Sequence, residues 1–154
     1  MRILIFGLWI LAFLLPACGG GEGGNGRPAG NEQYAGFAEF YERFHQDSAY
    51  QVAHVQFPVE GLPSGADSLT VMRDDFVWTP ENWRFHRRID FENSDFTQQL
   101  SAVTDDLIVE RITHNSGQFR MERRFTRWGG EWYLTYFVGL NNQEILSFWN
   151  FVKE

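Results

Sequence analysis

The chain predicts an α+β domain, helices first and a curved antiparallel sheet after them, and three observations carry that reading. Aromatic residues recur at helical spacing over residues 33–46, with charged residues on the opposite side. Two runs of alternating apolar and polar residues flank Gly129-Gly130, the pattern of a β-hairpin. Hydrophobic residues make up 44% of 154, with 26 aromatic rings among them, enough to build a core. A single cysteine rules out an intrachain disulfide, so packing must supply the stability.

The first thirty residues stand apart from that domain. Arg2 precedes an apolar run from Ile3 to Leu15, of signal-peptide length and too short to span a bilayer. It ends in Leu15-Pro16-Ala17-Cys18, which resembles the lipobox of bacterial lipoprotein precursors. The resemblance implies removal of residues 1–17 and lipid attachment at Cys18, which would leave no free thiol. Residues 18–30 then form a glycine-rich tether with too little apolar surface to fold and a reach of about 20 Å. Gly19 after the cysteine resembles the outer-membrane sorting pattern, which implies an exported protein anchored in the outer membrane on its periplasmic side. Residues 31–154 are left as a single domain.

Phe37, Phe40, Tyr41 and Phe44 fall at i, i+3, i+4 and i+7, the stripe of a helix that packs on a sheet. Ser48 with Gln51 has capping-box spacing, so a short second helix is expected over 49–53. Pro58, Gly61, Pro63 and Gly65 mark a loop. Residues 68–78 read as a strand broken near Arg73-Asp74-Asp75, and Thr79-Pro80-Glu81 as the start of one helical turn. Strands are expected over 96–103 and 106–113, with a turn at Asn115-Ser116-Gly117. Residues 145–152 are apolar enough for a closing strand or short helix.

Pairing outward from Gly129-Gly130 sets Arg127 opposite Trp132, Phe125 opposite Leu134, Arg123 opposite Tyr136 and Met121 opposite Val138. One hairpin face is then apolar, with Arg123 in its middle, and the other is polar with Arg120, Glu122 and Arg124. Trp128 and Trp132 fall on opposite faces, so one of the two is expected in solvent.

In combination, Phe40-Tyr41-Glu42-Arg43-Phe44-His45-Gln46-Asp47-Ser48, Phe57-Pro58-Val59-Glu60-Gly61, Trp78-Thr79-Pro80-Glu81-Asn82-Trp83 and the hairpin from Met121 to Leu134 are similar to a family of Bacteroidetes lipoproteins, domain of unknown function 4348. The resemblance covers most of residues 36–140. It implies a fold like nuclear transport factor 2, a cystatin-like cone in which a curved sheet wraps N-terminal helices around a pocket. It implies no activity and no catalytic residues, because that fold carries enzymes, binders and spacers alike.

The formal charge is −7, and removing residues 1–17 takes away only Arg2, leaving −8, a balance that excludes nucleic acid as a partner. His45, His54, His86 and His114 lack metal-ligand spacing, and no G-x-S-x-G, Walker or dinucleotide loop occurs, so neither metal nor cofactor is expected. Arg123 on an apolar face needs a carboxylate or an anionic ligand, or else a sheet edge where its head reaches water. His45 either bonds a carbonyl at the end of its helix or forms an acid/base pair with Asp47. The expected pocket therefore takes Arg123, Tyr136, His45, Asp47 and Trp83. Trp78, Trp83, Trp128 and Trp149 are either core or a stacking platform.

These observations together point to a non-catalytic envelope module for a small ligand, a glycan or an envelope protein. Two alternatives stand beside it: a small acid/base enzyme of the cone, and a structural homodimer joined through its open sheet face.

Overall fold

Asp47 breaks the N-terminal helical segment in two and starts the second helix. Its backbone is extended, and its carboxylate accepts hydrogen bonds from the N–H groups of Ala49 and Tyr50, both at 3.0 Å. The helix before it is α1 (Phe37–Gln46) and the one after it is α2 (Ser48–Ala53). The computed structural model describes residues 36–154. The export segment, Cys18, the tether and residues 33–35 of the expected first helix lie outside the described residues, and Gly36 is the N-cap of α1.

The remaining elements are β1 (Val55–Leu62), α3 (Ser68–Arg73), β2 (Val77–Trp78), β3 (Phe96–Thr104), β4 (Leu107–His114), β5 (Phe119–Trp128), β6 (Glu131–Asn142) and α4 (Gln143–Lys153). One sheet of six strands runs in the order β2-β1-β6-β5-β4-β3. Every neighbouring pair is antiparallel except β1 and β6, which run parallel. The fold is α+β, as the chain predicted, with helices on both faces of the sheet.

The inner face packs on α1. Phe37, Phe40 and Phe44 meet Phe125, Trp132 and Leu134 in one buried cluster. The Phe44 ring stands edge-on to Phe125 at 5.7 Å between centroids, the arrangement that aromatic quadrupoles favour. The outer face is covered over β1 and β6, where Val71 of α3 and Leu146 and Trp149 of α4 pack on Leu62 and Val138. Among the described residues, no helix packs on the outer side of β3, β4 and β5.

Two expectations are corrected, and one left open is decided. Residues 55–62 are a central strand and not a loop, although they hold Pro58 and Gly61. Pro58 is tolerated because it sits where the β1–β6 register shifts, between Val55 and Glu60, and no ladder N–H is needed there. Gly61 is required because a Cβ at that position would lie 1.7 Å from the carbonyl oxygen of Phe137. Residues 68–73 form a helix instead of a strand. The Asp67 carboxylate caps it through Thr70 N–H at 2.8 Å, and its one buried side chain, Val71, packs against α4. The C-terminal segment resolves to a helix, capped by Asn142 accepting from Ile145 N–H at 2.8 Å.

The hairpin forms around Gly129-Gly130 with the expected pairing as far as Phe125 and Leu134. There β6 carries an extra residue: the next pair is Arg124 with Tyr136, so Thr135 is bulged and the faces exchange from that point. Arg123 consequently stands opposite Phe137. Tyr136 and Val138, expected on the inner face, lie on the outer one with α4.

Candidate functional site

Two polar constellations stand on opposite faces of the sheet, one closed and one open. The closed one is built by β3, β4, β5 and α1. Arg123 is the charged residue in the inner alternation Met121-x-Arg123-x-Phe125 of β5, and Glu110 is its counterpart in Ile108-x-Glu110-x-Ile112 of β4. The β4–β5 register sets the two directly opposite. Their side chains are 3% and 0% exposed, and Arg123 Nε lies 2.6 Å from Glu110 Oε2. Those two atoms touch as an ion pair without the alignment of a hydrogen bond.

The rest of the network surrounds that pair. Tyr41 donates its hydroxyl hydrogen to Glu110 Oε1 at 2.5 Å, and Gln98 donates to the same oxygen at 2.5 Å and to Tyr41 Oη at 2.7 Å. Arg123 Nη1 donates to His45 Nε2 at 2.8 Å, while His45 Nδ1 bonds the Tyr41 carbonyl at 2.7 Å. A guanidinium cannot accept and a carbonyl cannot donate, so His45 is neutral with its proton on Nδ1. Burial, and then the Arg123 charge, push the imidazole down to about 4. Burial also raises the Tyr41 phenol, and the nearby Glu110 adds to that, so Tyr41 stays a donor. Burial is the largest influence on Arg123 and would lower it, but Glu110 and Tyr41 together outweigh it and hold the guanidinium above its usual range. Every strong acid or base in this cluster is occupied by another member of it.

A neighbouring clamp completes the inner polar structure. Gln51, fully buried, donates to the carbonyls of Phe44 and His86 at 2.7 and 2.9 Å. It also accepts from Trp83 Nε1 at 3.1 Å and from His86 N–H at 2.9 Å. All four of its hydrogen-bonding positions are used, which ties α1 and the segment around Trp83 together.

The open constellation is a groove of about 410 Å³ on the outer face, between β3–β5 and α4. Arg111, Arg120, Arg124 and Glu122 line it, with Tyr136 and Trp149 at one side. Glu122 is only 13% exposed and bonds two of the arginines, Arg111 Nε at 3.0 Å and Arg124 Nε at 2.9 Å. The Arg124 guanidinium lies over the Tyr136 ring at 4.1 Å, and Trp149 Nε1 donates to Tyr136 Oη at 2.9 Å. Arg120 forms no ion pair among the described residues, and its Nε is buried without a hydrogen-bond partner.

A structure search matches a cystatin-like protein from Bacteroides caccae, at a TM-score of 0.50 and 16% identity, over 76% of this chain and 87% of that one. The fold is cystatin-like. At that identity the likeness establishes the fold and nothing about activity. No protein-family model and no curated protein matches the chain.

Against this geometry the five pocket residues separate. His45 and Arg123 come together as expected, in a closed cluster instead of a pocket. Asp47 spends its carboxylate on the N-terminus of α2, and no bond joins it to His45. Trp83 is core, packed with Trp78, Phe57 and Phe137. Tyr136 lines the outer groove, on the other side of the sheet from Arg123. Among the tryptophans of the expected platform, Trp78, Trp83 and Trp149 are buried and Trp128 is 51% exposed.

Sequence reasoning missed Glu110, Gln98 and Gln51 as the partners of those groups. Glu110 had a readable signal: it is the one acid in an apolar alternation, on the strand next to the one that holds Arg123. Arg111, Arg120 and Arg124 carried no such mark, because charged residues on the outward side of a strand read as a solvated face.

Proposed function

We propose that this chain is a lipid-anchored, non-catalytic binding module of the cell envelope that takes its ligand in the outer groove. The observation that carries the reading is the contrast between the two faces. Inside the cone, His45, Arg123 and Glu110 are at most 4% exposed and engaged with one another, so none of the three is open to a substrate. Outside, a concave polar groove stands open, of a size usual for small-ligand sites. A concave site favours a small ligand over a glycan surface, a partner protein or a second copy of the chain.

The anchor rests on the lipobox-like Leu15-Pro16-Ala17-Cys18 and the glycine-rich residues after it. Among the described residues no helix is long and apolar enough to cross a membrane. Membership of the domain of unknown function 4348 family, and an outer-membrane address facing the periplasm, belong to the same proposal.

Two experiments test it. Bacteria expressing the full chain are labelled with radioactive palmitate: the band is expected to carry label and to lose it in Cys18→Ala, and label that survives the substitution refutes the anchor. A fragment screen on the full chain in neutral detergent, read by NMR, is expected to shift resonances around Arg120 and Trp149. Shifts centred on His45 and Arg123 would mean that the cone opens, and would overturn the binding reading.

A further inference from the structure

We infer that the outer groove is a site for a small dianionic ligand whose negative charge sits on carboxylate or phosphate oxygens. This rests on the reading that the groove is the binding site, and it names the chemical class of the molecule that binds there.

Charge is the first argument. Arg111, Arg120 and Arg124 against Glu122 leave two uncompensated positive charges in one concavity, in a chain whose formal charge is −7. The other lining residues carry no charge. An excess of two cations inside a concave wall concentrates field and draws anions to it.

Donor geometry is the second. Arginine presents a planar fork of N–H groups that matches the paired oxygens of a carboxylate or phosphate. Glu122, nearly buried, orients Arg111 and Arg124 from behind through one carboxylate, while each guanidinium carries five N–H donors. Arg124 is further fixed by its stacking on Tyr136. Tyr136 already accepts from Trp149 Nε1, so its own hydroxyl hydrogen remains to be donated. Burial raises the Tyr136 phenol above its ordinary value, and it therefore stays a donor at neutral pH.

The third argument is independent of the first two. Arg120 Nε is buried and has no hydrogen-bond partner, although buried polar groups in folded proteins are nearly always paired. No hydrogen bond or ion pair among the described residues commits the Arg120 guanidinium, which leaves its fork to turn to a ligand oxygen in the groove. Glu122 does not engage it; its oxygens bond Arg111 and Arg124.

The test uses the full chain in neutral detergent micelles at constant ionic strength, with sodium chloride as the balancing salt. Inorganic phosphate, succinate and, as a neutral control, glycerol are titrated while the arginine Nε–H and tryptophan indole resonances are followed by NMR. Phosphate or succinate is expected to give saturable shifts at Arg120 and at the Trp149 indole, and glycerol none. Arg120→Gln is expected to weaken that binding about tenfold or more, as is Arg111→Gln, which lies in a more exposed position. Arg127→Gln, an arginine paired with Asp106 instead, is expected to leave binding unchanged. Binding of phosphate alone assigns phosphoryl oxygens to the ligand, and binding of succinate alone assigns carboxylates. A groove that takes neutral fragments and ignores both anions overturns this inference and leaves the binding reading intact. A groove silent to anions and fragments alike overturns both.

Discussion

Replacing Glu110 by Gln removes the charge that Arg123 faces while keeping an oxygen for Tyr41 and Gln98. At 2.6 Å the pair attracts by about 6 kcal/mol with an effective dielectric of about 20, and desolvation of both groups offsets part of that. The substitution leaves a guanidinium that is 3% exposed without its counter-ion, and such a stranded charge costs about 3–5 kcal/mol. Urea unfolding followed by tryptophan fluorescence reads it directly. With an m-value of about 1.5 kcal/mol/M, the midpoint is expected to fall by roughly 2–3 M with the slope unchanged. Arg123→Met should cost a similar amount by stranding Glu110. The double variant should lose at least about 2 kcal/mol less than the two single losses together, because neither charge is then left alone. Strict additivity, or a loss under about 1 kcal/mol for Glu110→Gln, would refute the argument by showing that water reaches Arg123.

The same structure has other measurable consequences. His45 and His86 are held down to about 4 and about 3, both chiefly by burial, so the folded protein resists binding protons that the unfolded chain takes up near 6.5. Their contribution is complete above about pH 6.5 and is lost as the pH falls toward 4 and 3; for His45 alone that is about 3 kcal/mol, so urea midpoints measured from pH 7 to 4 should fall steeply. Gln51→Leu leaves buried partners on Phe44, Trp83 and His86 unsatisfied and should destabilise by about 3 kcal/mol or more in the same assay. Gly61→Ala sets a methyl against the Phe137 carbonyl, a backbone group that cannot rotate away, and should cost about 3 kcal/mol, with loss of amide-exchange protection along β1.

The order of helix, short helix and antiparallel hairpin was legible because each depends on local pattern: the spacing of Phe37, Phe40, Tyr41 and Phe44, and the alternation on either side of Gly129-Gly130. Strand β1 was hidden, because Pro58 and Gly61 ordinarily mark a loop and are accommodated here only by a register shift and a close strand approach. Helix α3 was misread because the Asp67 cap and the burial of Val71 among Leu62, Val138 and α4 act against a β-rich composition. The inward direction of Arg123 was readable from alternation. Glu110, 13 residues earlier, stood out as an acid in an apolar alternation, but that it faces Arg123 follows only from the strand pairing. Tyr136 was placed on the wrong face by one bulged residue, Thr135, since a single insertion exchanges the faces of everything beyond it. The groove was illegible for the same reason: its lining comes from four strands and a helix, and no stretch of sequence contains it.

The claim that the cone interior holds a closed polar cluster with its charges paired is tested most directly by the protonation of His45, followed by NMR of the imidazole nitrogens from pH 8 to 4. The structure predicts a ring that stays neutral with its proton on Nδ1 and titrates only near 4, because burial and the Arg123 charge both oppose the imidazolium. A midpoint near the ordinary 6.5, or a proton on Nε2, would contradict it: Arg123 would not then be donating to that nitrogen, and the interior would be open to water.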